Sequence, residues 1–250
     1  MNKSLSRIWV LTLRNLKEIL REPLSLIFIF ALPSLMQILF YCLFHDLTAQ
    51  FEMKYLTPSI VVFSQSFLTL FTGMIISSDR KTAFLTRLFV SKARPYEFIA
   101  SYVLAVLPIA FTQAVISFVI GGVLDFSIIS ARALACVGLS LVSALFFVSL
   151  GVLIGAICGE KSIGGVASIV VTGQSVLSGM WFPLEGLQGG FVTFMRWLPF
   201  KNATDVIQNL LNGISNFNND FLRPFLIIVI YVLVIFVVSV YVFRKRAKIN

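Results

Sequence analysis

Six stretches of this 250-residue chain run for 20 residues or more without a single Asp, Glu, Lys, Arg or His. They extend over about Leu24 to Phe44, Pro58 to Ser77, Phe98 to Leu124, Ala133 to Ile157, Ile163 to Phe182 and Pro224 to Phe243. A hydrocarbon core of roughly 30 Å takes about 20 apolar residues in helix, and lipid offers the backbone no hydrogen-bond partners, so only intrahelical bonds satisfy it. The expected fold is an all-α integral membrane protein: one transmembrane domain over residues 1–250 with six transmembrane helices. Composition agrees, since 12% charged residues is half of the roughly one quarter that a soluble globule carries. Disorder is excluded by 25 Phe and 58% apolar residues. Cys42, Cys136 and Cys158 form no CxxC pair, so neither a disulfide framework nor a metal site is indicated.

Basic residues choose the orientation, because Lys and Arg beside span ends are retained on the cytoplasmic side. With the N-terminus inside, the cytoplasmic segments hold Lys3, Arg7, Arg14, Lys17 and Arg21, then Arg80, Lys81, Arg87, Lys92 and Arg94, then Lys161, then Arg244, Lys245, Arg246 and Lys248, which is 15 of 20. The outer segments keep Lys54, Arg132, Arg196, Lys201 and Arg223, while the 11 acidic residues divide 5 inside and 6 outside. The chain is expected to be multi-pass in the cell membrane with both termini cytoplasmic, as an even number of spans requires. The net charge of +9 is then a topology signal, and no nucleic-acid partner is expected.

Residues 1–22 read as a cytoplasmic amphipathic helix. Leu5, Ile8, Trp9, Thr12, Leu13, Leu16 and Leu20 recur at steps of three and four, with Lys3, Arg7, Arg14, Glu18 and Arg21 opposite, until Pro23 breaks the pattern. Such a helix suits the membrane interface or a partner protein. The apolar run that follows exceeds 20 residues without an A-x-A-like site, which argues against a cleaved leader.

Within span five, Gly165, Ser168, Thr172, Ser175 and Gly179 share one helical face, beside Gln174 and Ser178. Span two repeats the idea with Ser66, Thr69, Gly73 and Ser77, flanked by Gln65 and Thr72. Both stripes fit either close helix packing or the lining of a substrate route. Gly151, Gly155 and Gly159 in span four form GxxxG steps without polar neighbours and read as packing. No span interior carries an ionisable side chain, which an ion-coupled carrier uses at depth. The lone His45 falls at the outer end of span one, and no acid–base cluster suited to catalysis converges in sequence. The string GAICGEKS, Gly155 to Ser162, fails the phosphate-loop pattern because Glu160 stands where the second Gly belongs. Energy for active transport would have to come from another polypeptide.

Two non-spanning segments complete the reading. Gly179 to Gly213 is broken by Pro183, Gly186, Gly189, Gly190 and Pro199, and predicts short half-inserted external helices followed by an amphipathic helix from about Asn202 to Leu211, with Trp181 and Trp197 at the outer interface. The cytoplasmic loop Ser77 to Phe98 predicts a short helix from about Lys81 to Val90, whose apolar Phe84, Leu85, Leu88 and Phe89 are ringed by Arg80, Lys81, Arg87, Lys92 and Arg94. A helix of that kind rests on anionic lipid or docks in a groove of a partner.

Over essentially its full length the chain resembles the ABC-2 class of membrane permeases, the transmembrane halves of ATP-binding-cassette exporters. The resemblance lies in the amphipathic helix ending in REPLSLIF, the loop TRLFVSKARPYEF, and SGMWFPLEG followed by RWLPF, taken in this order and topology. Lys92 stands where the family usually has proline, and Ala83 and Phe84 lie near a usual glycine. The resemblance implies a permease subunit that forms the route as a dimer with a second permease and couples to separate cytoplasmic ABC ATPase subunits. It places ATPase coupling on Arg80, Lys81, Phe84, Leu85, Arg87, Leu88 and Phe89, and the route on Gln65, Ser66, Thr69, Thr72, Ser168, Thr172 and Ser175. No cofactor belongs to this chain in that case; ATP and Mg belong to the partner, and the exported compound is a drug, a lipid-linked molecule or another amphiphile. A passive channel and a non-transporting assembly subunit are the competing readings.

Overall fold

The computed structural model describes residues 3–81, 95–181 and 189–247, and every regular element among them is helical. In chain order these are α1 (Lys3–Leu20), α2 (Pro23–Phe44), α3 (Met53–Lys81), α4 (Pro95–Leu124), α5 (Ala131–Ile157), α6 (Glu160–Leu177), α7 (Gly190–Trp197), α8 (Pro199–Asn212) and α9 (Arg223–Ala247). A π-helical turn, Phe217–Leu222, leads directly into α9.

Among the described residues five helices are long and apolar enough to cross a membrane, over Leu26–Phe44, Met53–Arg80, Tyr96–Leu124, Ala131–Ile157 and Phe217–Phe243. The sixth expected span, Ile163 to Phe182, falls on α6, which does not reach the same standard. That helix has 18 residues and ends at Leu177, giving about 27 Å at 1.5 Å per residue. Glu160 and Lys161 occupy its first turn, and Gly, Ser, Thr and Gln dilute the rest. Gly179, at φ 74°, turns the chain just beyond it, and Gln50 donates from Nε2 to the Gly179 carbonyl. Trp181, expected at the outer interface, packs against Phe40 and Phe63, with ring centroids 4.4 and 6.0 Å away. An amphipathic helix expected over Asn202 to Leu211 is present as α8, three residues longer at its start.

The arrangement is centred on α3, against which α2, α4, α5, α6 and α8 all pack. Of its membrane-crossing window 72% is buried, against 17% for α2 and 11% for α9. The last two helices therefore turn most of their side chains outward. Small residues explain why α3 and α5 pack so closely. A Cβ added at Gly151 would lie 2.6 Å from the Thr69 carbonyl oxygen, and one at Gly155 would lie 2.8 Å from that of Gly73. The packing expected of these two glycines is thus what the structure shows, while Gly159 has open space around it and caps α6.

Prolines inside helices free a carbonyl one turn back, and lipid cannot satisfy it. Pro33 frees that of Ile29, which accepts from Gln113 Nε2 at 3.3 Å across the bundle. Pro58 frees that of Lys54, which accepts from Asn212 Nδ2 on α8 at 3.4 Å.

Because backbone faces Gly151 and Gly155, no flexible group can yield to an added methyl. Gly151→Ala and Gly155→Ala should each cost about 1–3 kcal/mol through overpacking. Gly164→Ala, which meets nothing within 4 Å, should be neutral or should stabilise by up to about 1 kcal/mol through helix propensity. Thermal unfolding of the purified variants in one detergent measures the contrast.

Candidate functional site

The densest polar constellation outside the apolar core lies where α1 crosses the end of α3 and the start of α4. Asp79, two residues before the end of α3, is 2% exposed. Its carboxylate accepts two bonds from the Arg14 guanidinium, Nη1 to Oδ2 at 2.7 Å and Nη2 to Oδ1 at 2.6 Å. The Tyr102 hydroxyl on α4 donates to Oδ2 at 2.5 Å. A planar fork on a carboxylate fixes orientation as well as distance. One turn along α1, Glu18 Oε2 lies 2.9 Å from Arg14 Nη2 without the alignment of a hydrogen bond. Asn15 Nδ2 donates to Ser101 Oγ at 3.3 Å. Nearer the start of α1, Glu97 accepts from Ser4 Oγ at 2.5 Å and from Arg7 Nη1 at 3.3 Å. Glu97 sits in the first turn of α4, where the helix dipole also favours a carboxylate.

Sequence periodicity placed Arg7, Arg14 and Glu18 on a side turned away from the apolar stripe of α1, and so it is, but that side faces the protein. Thr12, Asn15 and Ile19 are buried, whereas Leu5, Trp9, Leu13 and Leu20 stay exposed, Trp9 at 59%. The hydrogen bond to Asp79 raises the Arg14 pKa above its ordinary value. Burial, then the charge of Asp79, raises the Glu18 carboxyl above its ordinary range, with Arg14 opposing.

The sequence-expected coupling residues divide. Arg80 and Lys81 belong to the last turn of α3 rather than to a loop helix. Arg80 Nη1 donates to the carbonyls of Gly155, Ala156 and Cys158 at 2.9, 2.8 and 3.1 Å, and so caps the C-terminus of α5. Phe84, Leu85, Arg87, Leu88 and Phe89 lie outside the described residues.

The two polar stripes also part company. Gln65, Ser66, Thr69 and Thr72 on α3 are all fully buried. Gln65 Nε2 donates to the Ser140 carbonyl at 3.0 Å and its Oε1 accepts from Ser143 at 2.5 Å. Thr69 donates to the Phe147 carbonyl at 3.0 Å, Ser66 bonds its own helix at Phe63, and Thr72 packs on Gly151. On α6, Ser168 and Thr172 are exposed and Ser175 is half-buried, with Ser168 and Ser175 bonded within their own helix. Only Ile163, Ala167 and Gln174 of that helix are buried. Among the described residues, no three His, Cys, Asp or Glu side chains are grouped to hold a metal ion.

Sequence reasoning missed Asp79, Glu97 and Tyr102. The available signal was positional: a carboxylate two residues inside each stem of a basic loop, beside an amphipathic helix that spaces two arginines seven residues apart.

Helices long and apolar enough to cross a membrane several times, packed about one buried helix, define a multi-pass α-helical membrane protein. Residues 6–212, which take in nearly all of α1 and everything through α8, match the family model for the ABC-2 type transporter, and the chain belongs to that family. No individual curated protein matches it. Membrane domains of this family are typically non-catalytic transmembrane components, and the family in general works with ABC ATPases.

Removing the Asp79 carboxylate leaves Arg14 without its main counter-charge. Asp79→Asn should cost roughly 2–3 kcal/mol, less than a fully buried pair because the Arg14 side chain is 34% exposed. Glu18 acts in the opposite sense: with its folded titration raised, the stability it contributes is complete below the ordinary carboxylate range and is lost as pH rises through the raised value. Glu18→Gln should therefore reduce the fall in thermal stability from about pH 4.5 towards neutrality. Melting curves of both variants over that window test the two signs together.

Proposed function

We propose that this chain is the permease subunit of an ATP-driven exporter. Two permeases, identical or related, stand side by side to form the route, and each is coupled to a separate cytoplasmic ATPase subunit that binds ATP and Mg. The observation that carries the reading is family membership over residues 6–212 on a bundle of membrane-crossing helices. The partition of basic residues supports a cell-membrane location with both termini cytoplasmic, α6 then serving as the sixth crossing. Its lower apolarity suits a helix that meets a second permease or a substrate rather than lipid alone.

Of the two stripes, the α6 face with Ser168, Thr172 and Ser175 is the one available to line a route. Gln65 and Thr69 are consumed in joining α3 to α5, and Ser66 and Thr72 are buried beside them, so the contribution of this stripe is to rigidity. Uncharged hydroxyls among Val and Ile suit an amphiphilic compound, whether a drug, a lipid-linked molecule or another of that class. For ATPase docking, Phe84, Leu85, Leu88 and Phe89 supply the apolar anchors, while Lys81 and Arg87 set orientation and association rate. Arg80 anchors the end of α3 to the α5 carbonyls.

Two measurements test this. Replacing Leu88 and Phe89 together by Ala should strip a co-expressed ATPase from the purified complex, while Arg87→Glu weakens association in a salt-dependent way; full retention by the double variant refutes the docking role. Thr172→Leu should reduce ATP-dependent movement of a fluorescent amphiphilic dye in vesicles with ATPase binding intact. Dye flux through the chain alone, without ATP, would favour the passive channel instead.

A further inference from the structure

Leu5, Trp9, Leu13, Lys17 and Arg21 follow one another at steps of four and are all exposed, so they form a single row along α1 and its end. The row is apolar over its first three positions and basic over its last two. The opposite side of the helix is spent on protein, with Arg14 on Asp79 and Asn15 on Ser101. Of the nearby carboxylates, Glu18 lies 2.9 Å from Arg14, and Glu22 is exposed at the step into α2.

Five residues beyond Arg21 a groove of about 390 Å³ opens on α2, lined by Leu26, Ile27, Phe30, Ala31 and Ser34. The Leu26 amide donates to the Glu22 carbonyl. One helical turn of about 5.4 Å and one Cα step of about 3.8 Å therefore bring the mouth of the groove to within roughly 10 Å of Arg21. An arginine side chain and a phosphate group together bridge that gap. Leu26 to Ser34 is about 12 Å of helix, close to the roughly 15 Å that one leaflet contributes to the hydrocarbon core. The groove also lies within the membrane-crossing window that starts at Leu26.

The walls decide what fits. Ser34 Oγ already donates to the Phe30 carbonyl at 2.7 Å, so the lining presents hydrocarbon. Helices recognise one another in a bilayer through small residues and interhelical hydrogen bonds. This groove has Ala31 alone of the first kind, and the bulky Ile27 and Phe28 stand exposed at 59% and 64%. A flexible alkyl chain suits such a surface better than a second helix does, and the two cations at its mouth suit a phosphate.

We propose that the α2 groove and the basic end of α1 form a site for one anionic phospholipid, its acyl chain against Leu26, Ile27, Phe30 and Ala31 and its phosphate beside Lys17 and Arg21. A zwitterionic headgroup would set its own cation against the same two side chains, so the site selects for net negative charge. Helix α2, whose crossing window is only 17% buried, then carries on its outward face a lipid that α1 retains.

Tryptophan quenching by brominated lipids tests this on the full chain. In a background with Trp9, Trp181 and Trp197 replaced by Phe, Ile27→Trp reports the groove. Val119→Trp, equally exposed at 59% but on α4, reports an ordinary lipid-facing surface. Each variant is reconstituted in nanodiscs containing either brominated phosphatidylglycerol or brominated phosphatidylcholine at the same fraction. At residue 27 the relative association constant should favour phosphatidylglycerol at least about fivefold, and Lys17→Gln with Arg21→Gln should return it to near unity. At residue 119 no preference is expected. Equal quenching by the two lipids at residue 27, or a preference that survives loss of both cations, overturns the site. Quenching at residue 119 but by neither lipid at residue 27 shows a protein surface over the groove and overturns it as well. In the chain with its own tryptophans, Ala31→Phe fills the groove, and native mass spectrometry should show the phosphatidylglycerol retained through delipidation falling at least about threefold; undiminished retention counts against the groove as the acyl-chain site.

Discussion

Where α3 crosses α5, backbone meets backbone. Within a bilayer, lipid tails are as apolar as Leu, so helices gain little by hiding apolar side chains and associate through dispersion and hydrogen bonds instead. Gly73, Gly151 and Gly155 let the two main chains approach closely enough for both. At that separation a Thr or Gln side chain on one helix reaches a carbonyl on the other, as Thr69 reaches Phe147 and Gln65 reaches Ser140. Everything else is arranged around this contact, because α3 is the helix that α2, α4, α6 and α8 share.

The same demand for satisfied backbone groups accounts for the long polar side chains in the core. Gln37 joins α2 to α3 and α4, with Thr57 Oγ1 and the Ser117 carbonyl each 3.0 Å from its Nε2. Gln113 bridges α4 to the carbonyl freed by Pro33 and to that of Ser64. Glutamine suits this work since it reaches across a helix gap and carries no charge to desolvate. Pro33 and Gln113 thus belong to one account: the carbonyl that the proline frees is one that the glutamine of a neighbouring helix claims.

Much of the fold could be read from residue order. Charge-free runs located five crossings to within a few residues at most ends, and the GxxxG steps at Gly151 and Gly155 pointed to close packing. Errors came where a one-dimensional pattern is ambiguous in space. A face of small polar residues looks alike whether it meets a substrate or a neighbouring helix; only the fold separates α3, whose stripe is buried, from α6, whose Ser168 and Thr172 are exposed. Amphipathicity of α1 was legible, but which face meets protein was not, since periodicity gives the angle between two faces and says nothing of their surroundings. The pairing of Arg14 with Asp79 spans 65 residues and leaves no local mark.

That pairing also shows why stability alone is a poor account of this end of the bundle. A desolvated ion pair returns about what it costs, and apolar residues of similar volume often hold a protein together as well or better. What apolar contact lacks is direction: two greasy surfaces slide and rotate with little penalty, whereas a guanidinium fork on a carboxylate loses both bonds within a small rotation. At the end of α3 direction is the quantity in demand, because α1 packs chiefly on α4 and is joined to α3 through Arg14 and Asp79. Thr12, Asn15 and Ile19 supply the buried contact, and the pairs at Arg7 and Arg14 stop the helix from rolling on it. Held against rolling, α1 keeps Leu5, Trp9, Leu13 and Leu20 turned to one side, away from the helices it packs against.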